Sequence, residues 1–294
     1  MKVTGKTKIY GIIGNPIDHS LSPLFQTWFI EQKGLDAAYI PFCVQDENME
    51  DAIHGLWALG VQGFNVTVPH KESVLPFVDA DESARMIGAV NTVIRGEGGW
   101  QASNTDWIGF SAALEAVGAD MDSATVLLFG AGGTSKAVVY ALAKLNVSML
   151  YICNRSHNRA ETLAAHVREN YSHIRCELIE WGDSNVEAAS LKSNVIINTT
   201  SIGLKDGDHF PFAIPGEGVA VDAVYRPDGH TSFCKKAKES GRMSIDGLPM
   251  LIAQGAAAFS VWQKSVPDRL GAIRWMESEL GRSPCELSGW EEVA

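Results

Sequence analysis

Cysteine is scarce in this 294-residue sequence, and what there is does not pair: Cys43, Cys153, Cys176, Cys234 and Cys285 are odd in number, scattered, and free of CxxC or Cys/His ligand spacing. That pattern argues against a disulfide framework and against a zinc site, so no metal is expected. Positive charge is also in short supply. With 24 Lys and Arg against 35 Asp and Glu, the formal net charge is -11. No basic footprint for nucleic acid or an anionic membrane exists, although a local cationic site for a small anion is compatible with that balance. Long apolar runs are missing too. The opening MKVTGKTKIYGIIGN is broken by lysines and glycines before it can form a signal-peptide core, and no uncharged stretch is long enough to cross a bilayer. The expectation from these absences is a soluble, cytoplasmic protein whose partner is a small molecule; between monomer and homodimer the sequence does not choose.

What is present is an alternation of strand-like and helix-like segments. IYGIIG (Ile9 to Gly14), AYIPF (Ala38 to Phe42) and FNVTV (Phe64 to Val68) read as strands, separated by helical patterns at Leu24 to Glu31 and Glu47 to Leu59. Such alternation calls for parallel strands joined by helical crossovers. A second series begins at Ala124: strand VLLFG, turn GAGGT, a helix from Ser135 to Leu145, strand MLYIC, a helix from Asn158 to Glu169, then strands NVIIN and GVAVDAVY. From Pro249 onward the chain is helical and apolar without a strand of its own, and it is expected to pack back on the first module. Gly281 to Ala294 reads as a loosely held tail.

The turn Gly130-Ala131-Gly132-Gly133-Thr134 follows an apolar strand directly and opens a helix. Glycines let the backbone approach a pyrophosphate, and a helix N-terminus offers free N–H groups and partial positive charge. Read as G-x-G-x-x-G, the frame has Ser135 in place of its third glycine, and a glycine cluster alone can be no more than a tight turn. The next strand decides. It ends at Asn154-Arg155-Ser156, where an NAD-binding unit would carry an acidic residue for the ribose hydroxyls. Arg155, with Ser156 and Arg159, suits a 2′-phosphate instead, so NADP is expected over NAD. Cations near a helix start oppose its dipole, and their presence there asks for an anion.

In the first module polar residues gather at strand ends: Ser20 and Ser22, Asn65 to Lys71, Asn91 and Thr92, and Asn104 to Asp106. Ligands of open α/β sheets bind at carboxyl ends of strands, so these loops are candidates for one cleft. Singly each has an ordinary reading. A serine before Pro23 is a helix cap, Asn91 a turn residue, Asp106 the cap of the next helix, and a lone strand-end lysine is usually solvated.

Together, the blocks GNPIDHSLSP (from Gly14), GFNVTVPHK (from Gly63), GAVNT (from Gly88), NTD (from Asn104), GAGGT, NRSHNR, NTTSIG, VDAVYRP and DGLPMLIAQGAAAFSVW (from Asp246) resemble the shikimate dehydrogenase family, in family order and over nearly the whole chain. The resemblance implies NADP-dependent interconversion of 3-dehydroshikimate and shikimate in aromatic amino acid biosynthesis. It implies an α/β fold of two domains: residues 1–106 plus 247–294 as a substrate domain with a mainly parallel sheet, and 107–246 as a Rossmann-like NADP domain. By the family pattern Lys71 and Asp106 form the catalytic pair. Ser20, Ser22, Thr67, Asn91, Tyr225 and Gln254 contact substrate, while Gly130 to Thr134, Asn154, Arg155, Ser156, Arg159, Ala223 and Gly247 contact the cofactor. Gln26, Trp107 and Pro249 depart from that pattern without removing a proposed catalytic atom, and bear on substrate breadth more than on reaction type. Two other readings stand beside this one: a relative preferring quinate or using NAD, which Ser22 and Arg155 disfavour, and a non-catalytic dinucleotide sensor, which would have no need of Lys71.

Overall fold

Residues 3–287 and 290 are described by the computed structural model of the chain. They divide into two units, one running to Gly109 and including Leu251–Ala272, the other comprising Phe110–Met250 and the chain from Ile273 onward.

The first unit contains β1 (Lys8–Gly14), α1 (Ser22–Gln32), β2 (Ala37–Cys43), α2 (Met49–Ala58), β3 (Gly63–Val66), β4 (Asp79–Ala80), α3 (Glu82–Ile87), β5 (Thr92–Arg95), β6 (Trp100–Ser103) and the start of α4 (Asp106–Ala116). Its sheet order is β2-β1-β3-β5-β6-β4. β1 is flanked by parallel partners on both sides, as its continuous apolar run requires. The rest of the sheet is not all parallel: β3 pairs antiparallel with β5, and β5 with β6. The cause is local. Gly96 to Gly99 closes a hairpin, with the Gly96 amide donating to the Gly99 carbonyl at 2.9 Å, and a two-stranded hairpin needs no crossover helix. β3 also stops at Val66, so Thr67 and Val68 lie beyond it.

Alternate residues of these strands face two layers. Ile13, Phe64, Val66 and Val93 enter one buried cluster with Ile53, Leu56 and Trp100. On the other side Tyr10 meets Trp262, with ring centroids 5.3 Å apart, and Phe29 meets Phe259 at 5.4 Å. The Trp262 indole N–H donates to the Val93 carbonyl at 2.9 Å, and Gly63 leaves the room it occupies, since a Cβ there would lie 2.5 Å from that nitrogen. These contacts dock helix Leu248–Gln263 on this unit, as its apolar composition predicted.

The second unit holds β7 (Thr125–Phe129), α5 (Gly133–Lys144), β8 (Met149–Cys153), α6 (His157–Asn170), β9 (Arg175–Ile179), α7 (Asp183–Ser190), β10 (Val195–Asn198), β11 (Val219–Asp222), α8 (Ser232–Glu239) and β12 (Met243–Ile245), followed by α9 (Leu248–Gln263) and α10 (Arg269–Glu279), which begin and end in different units. Its sheet, β12-β11-β10-β7-β8-β9, is parallel throughout. That is the doubly wound order, reversing direction between β7 and β10. Phe129, Phe210, Phe212 and Phe233 anchor its core.

Arg242 is buried in this unit without a carboxylate. Its Nε donates to the Ile214 carbonyl at 3.0 Å, Nη1 to those of Ser193 (3.2 Å) and Glu217, and Nη2 to those of Ser190 and Pro215, both at 2.8 Å. Five backbone acceptors thus satisfy a guanidinium that would otherwise be very costly to bury.

The end of the chain departs from expectation. Of the Gly281–Ala294 segment, expected as a loose tail of the first unit, the described residues are fastened within the second: Arg282 makes a two-pronged ion pair with Asp246 at 2.8 and 3.2 Å, and the Trp290 indole donates to the Ala112 carbonyl at 2.9 Å; positions 288, 289 and 291–294 lie outside the described residues. Both members of the ion pair are buried, and a bidentate arginine is the geometry that makes such burial tolerable. Among the described residues no helix is long and apolar enough to cross a membrane.

Candidate functional site

Strand register brings the polar residues of the first unit into one row. Asn65, near the end of β3, sits opposite Thr92, and Thr92 opposite Ser103. Because β5 runs antiparallel, its start and the end of β6 lie at the same edge as the carboxyl end of β3. Asn91 and Asn104 to Asp106 are therefore neighbours, although a helix and a hairpin separate them from Lys71 in sequence.

Their side chains form a continuous network. Lys71 Nζ donates to Asp106 Oδ2 at 2.5 Å, and the other carboxylate oxygen accepts from Asn91 Nδ2 at 2.7 Å. The Asn91 amide also reaches Gln254 Oε1 at 3.2 Å. On its far side Asn91 Oδ1 accepts from the Thr92 hydroxyl (2.9 Å) and from the Thr105 amide and hydroxyl (2.7 and 3.1 Å). Asn104 Oδ1 takes the Asp106 backbone N–H, capping the first turn of α4. Asn65 spans from the Asn91 carbonyl to the Tyr39 hydroxyl, whose pKa burial raises well above the ordinary tyrosine value. The catalytic candidates are largely enclosed: the lysine side chain is 19% exposed and the aspartate 8%.

Ser20 and Ser22 stand at the entry to α1, where the Ser22 amide donates to Ser20 Oγ at 3.3 Å. Their loop starts beside Thr67, since the Gly14 α-carbon leaves room for the Thr67 methyl, which a Cβ would meet at 2.6 Å. The hydroxyls of Ser22 and Thr67 have no hydrogen-bond partner among the described residues, unlike every polar group of the Asn91 network. Sequence reasoning quoted Asn65, Asn104 and Thr105 as parts of blocks without assigning them a task; their function as a frame depends on pairing between strands and could not be read from spacing.

In the second unit the glycine turn leaves β7 with Gly130 at φ +113°, where a Cβ would lie 2.4 Å from Thr199 Oγ1. Only glycine fits that position. The Ser135 hydroxyl accepts from the Gly132 amide at 3.0 Å and meets Thr199 Oγ1 at 2.7 Å, so this serine ties the helix start to the neighbouring strand end instead of repeating the glycine frame. Nothing lies within 4 Å of a Cβ built on Gly132 or Gly133, which leaves their backbone open to approach. After β8, Asn154 Nδ2 turns inward to the Ser156 carbonyl. Ser156 flanks α6 without a side-chain cap bond, and no acidic residue occupies the first turn. Arg155 and Arg159 are exposed and bond no other described residue. An uncapped helix start beside two guanidinium groups that bond no other described residue has the chemistry to take an anion.

Ala223 and Gly247 are brought together. The Gly247 amide donates to the Val224 carbonyl at 2.9 Å, and a Cβ on Gly247 would lie 2.4 Å from the Ala223 carbonyl oxygen. Tyr225, half-buried, follows on the same segment in this second unit, while Ser20, Ser22, Thr67, Asn91 and Gln254 all belong to the first. Beneath this segment lies a pair that sequence reasoning missed. Asn198 and Asp222 are register partners at the ends of β10 and β11, and Asn198 Nδ2 donates to Asp222 Oδ1 at 2.8 Å. Burial pushes the Asp222 carboxyl up to about 7, against the lowering effect of the bonds that Oδ1 accepts from the Val224 and Asn198 amides. Its Oδ2 has no hydrogen-bond partner.

Comparison with known proteins accounts for both halves. Residues 12–93 match the family described as shikimate dehydrogenase substrate binding domain, and residues 111–201 match shikimate / quinate 5-dehydrogenase. A protein of Aquifex aeolicus named shikimate dehydrogenase (NADP(+)) is 40% identical over 264 residues, covering 88% of this chain and 93% of its own length. The chain belongs to the shikimate dehydrogenase family. Solved members of that family superpose over almost its full length. The Listeria monocytogenes shikimate 5-dehydrogenase in complex with shikimate and NAD gives a TM-score of 0.86 at 29% identity, covering 95% of this chain and 98% of its own. The Thermus thermophilus shikimate 5-dehydrogenase in complex with NADP(H) and shikimate gives 0.82 at 32% identity, covering 93% and 100%.

Proposed function

We propose that this chain catalyses the reversible NADP-dependent reduction of 3-dehydroshikimate to shikimate, in aromatic amino acid biosynthesis and in the cytoplasm, as a monomer or homodimer. The first unit acts as substrate domain and the second as cofactor domain. The observation that carries the reading is the Lys71–Asp106 pair, held at 2.5 Å inside the Asn91 network, in the same unit as the Ser22 and Thr67 hydroxyls, which have no hydrogen-bond partner among the described residues.

Bound NADP(H) supplies or accepts the hydride. The residues fit that cofactor: Gly132 and Gly133 leave open backbone at a helix start, where Gly130 to Thr134 would hold the pyrophosphate, and Arg155 and Arg159, with Asn154 and Ser156, would hold a 2′-phosphate. Ala223 and Gly247 would line the nicotinamide. On the substrate side, charge develops on the carbonyl oxygen as the ketone is reduced. Lys71 Nζ stabilises that charge and delivers the proton to the oxygen, and in the reverse direction it takes the hydroxyl proton. Asp106 fixes the amine and accepts from a neighbouring hydroxyl. Ser20 and Ser22 donate to the substrate carboxylate, and Thr67, Asn91, Tyr225 and Gln254 complete the contacts.

The test is a panel of shikimate and quinate against NADP and NAD with the purified protein. Highest kcat/KM for shikimate with NADP is the expected result. A higher value for quinate with NAD would overturn the substrate and cofactor assignment, and no turnover with any combination would overturn the activity.

A further inference from the structure

One buried polar side chain of the first unit has no task in the chemistry above. Gln26 lies on α1 four residues after Ser22, so the two share a helix face one turn apart, and both are buried, Gln26 to 1% exposure. Its Nε2 donates to the Gly255 carbonyl on α9 at 2.8 Å, whereas its Oε1 is buried without any hydrogen-bond partner. An apolar side chain of the same size would fill this space without stranding an oxygen, so packing alone does not account for an amide here.

The helices meet at this point more closely than an ordinary side chain would permit. A Cβ on Gly255 would lie 2.2 Å from the Phe25 ring and 3.2 Å from Gln26 Nε2. A helix carbonyl has a second lone pair beyond its intrahelical bond, and that is what Gln26 engages. The neighbouring Gln254 presents Oε1 to Asn91 Nδ2, which in turn holds Asp106. A direct chain of contacts thus runs from Ser22 through one turn of α1 to Gln26, across to Gly255 and Gln254, and on to Asn91, Asp106 and Lys71.

We propose that Gln26 is a positioning residue that sets the separation between the serine end of α1 and Gln254 on α9, and thereby the carboxylate-to-hydroxyl span of the cyclic hydroxy acids the site accepts. The proposal rests on the substrate reading above. Ser20 and Ser22 take the carboxylate in that reading and Gln254 contacts the substrate as well; with Gln254 on a ring hydroxyl, an assignment that belongs to this proposal, the brace between their helices fixes the two ends of the ligand.

The experiment compares Gln26→Met, which keeps length and volume but loses both polar ends, with Gln26→Glu, which keeps shape but loses the donor to Gly255, and Gln26→Asn, one methylene shorter. Steady-state kinetics with shikimate, quinate and NADP are measured alongside the thermal midpoint. Loss of one hydrogen bond corresponds to about fivefold. Expected for Gln26→Met and Gln26→Glu are a rise of about fivefold in KM for shikimate, a changed shikimate-to-quinate ratio of kcat/KM, and kcat and KM for NADP within about twofold of the parent. Gln26→Asn, which keeps the donor but not the reach, is expected to shift the ratio as well. A folded Gln26→Met or Gln26→Glu protein with unchanged KM for shikimate and unchanged ratio overturns the proposal. So does equal loss in kcat and both KM values, which marks a general structural role. Should Gln26→Met not fold, Gln26→Glu carries the same comparison. The parent's own turnover of shikimate tests the substrate reading separately, so failure of one is not mistaken for failure of the other.

Discussion

The strand-end clusters of the two units differ in how far they are assembled. In the first unit Lys71, Asp106, Asn91, Thr92, Thr105 and Gln254 hold one another through bonds of 2.5 to 3.2 Å. In the second, the glycine turn is anchored behind, through Gly130, Ser135 and Thr199, while the exposed Arg155 and Arg159 bond no other described residue. The contrast suits the tasks proposed for the two clusters. Proton transfer demands donor and acceptor at fixed positions before the reaction begins. Gripping a multiply charged nucleotide demands donors that the protein does not satisfy for itself, because every internal partner would have to be displaced.

Substitutions in the two clusters should therefore fail in different ways. The largest effect is expected for Lys71→Ala, with kcat down by roughly two to four orders of magnitude and NADP affinity by fluorescence titration unchanged; a parallel loss of cofactor binding would erase the distinction. Next comes Arg155→Ala, which should raise KM for NADP by about 10- to 100-fold, the value of a charge-assisted hydrogen bond, and leave kcat with NAD as it was. If NAD suffers equally, the guanidinium serves the fold and not the phosphate.

Asp222 supplies a third test, on stability. Its folded pKa of about 7 lies above the ordinary 3.8, so between those values the folded protein keeps a proton that the unfolded chain releases. Stability then falls as pH rises through that window, by at most about 1.4 kcal/mol per pH unit, and levels off above it. Denaturant unfolding of the second unit at several pH values from 5 to 8 should show this slope, and Asp222→Asn should flatten it; an unchanged slope in the variant assigns the dependence to another group. The smallest effect is expected in the first unit's scaffold. Trp262→Phe, losing the bond to the Val93 carbonyl and some buried area, should cost about 1–2 kcal/mol of unfolding free energy with KM for NADP unaltered.

Those contrasts also mark how much the residues disclosed on their own. The glycine turn, the arginine after β8 and the apolar return helix were legible because each depends on local pattern. The antiparallel hairpin was not: β5 and β6 are four residues each, too short for periodicity to register, although Gly96 to Gly99 was a turn signal available to be read. Ser135 looked like a defect in a glycine frame and proves to be the hydroxyl that ties α5 to Thr199. The Asn91 network and the Asn198–Asp222 pair needed strand register, and register is set by pairing between segments remote in sequence. The fastened chain end was missed for a similar reason, as Arg282 finds Asp246 from 36 positions away.

Arg242 has a further consequence. A guanidinium stays cationic across the whole physiological range, and it clips together carbonyls of residues 190, 193, 214, 215 and 217. The stretch leading into β11 is thus secured by a fastener that acidity does not loosen, at the near end of the strand whose far end carries the titrating Asp222. Acid or alkali can alter the charge at one end of that strand while the other stays clamped.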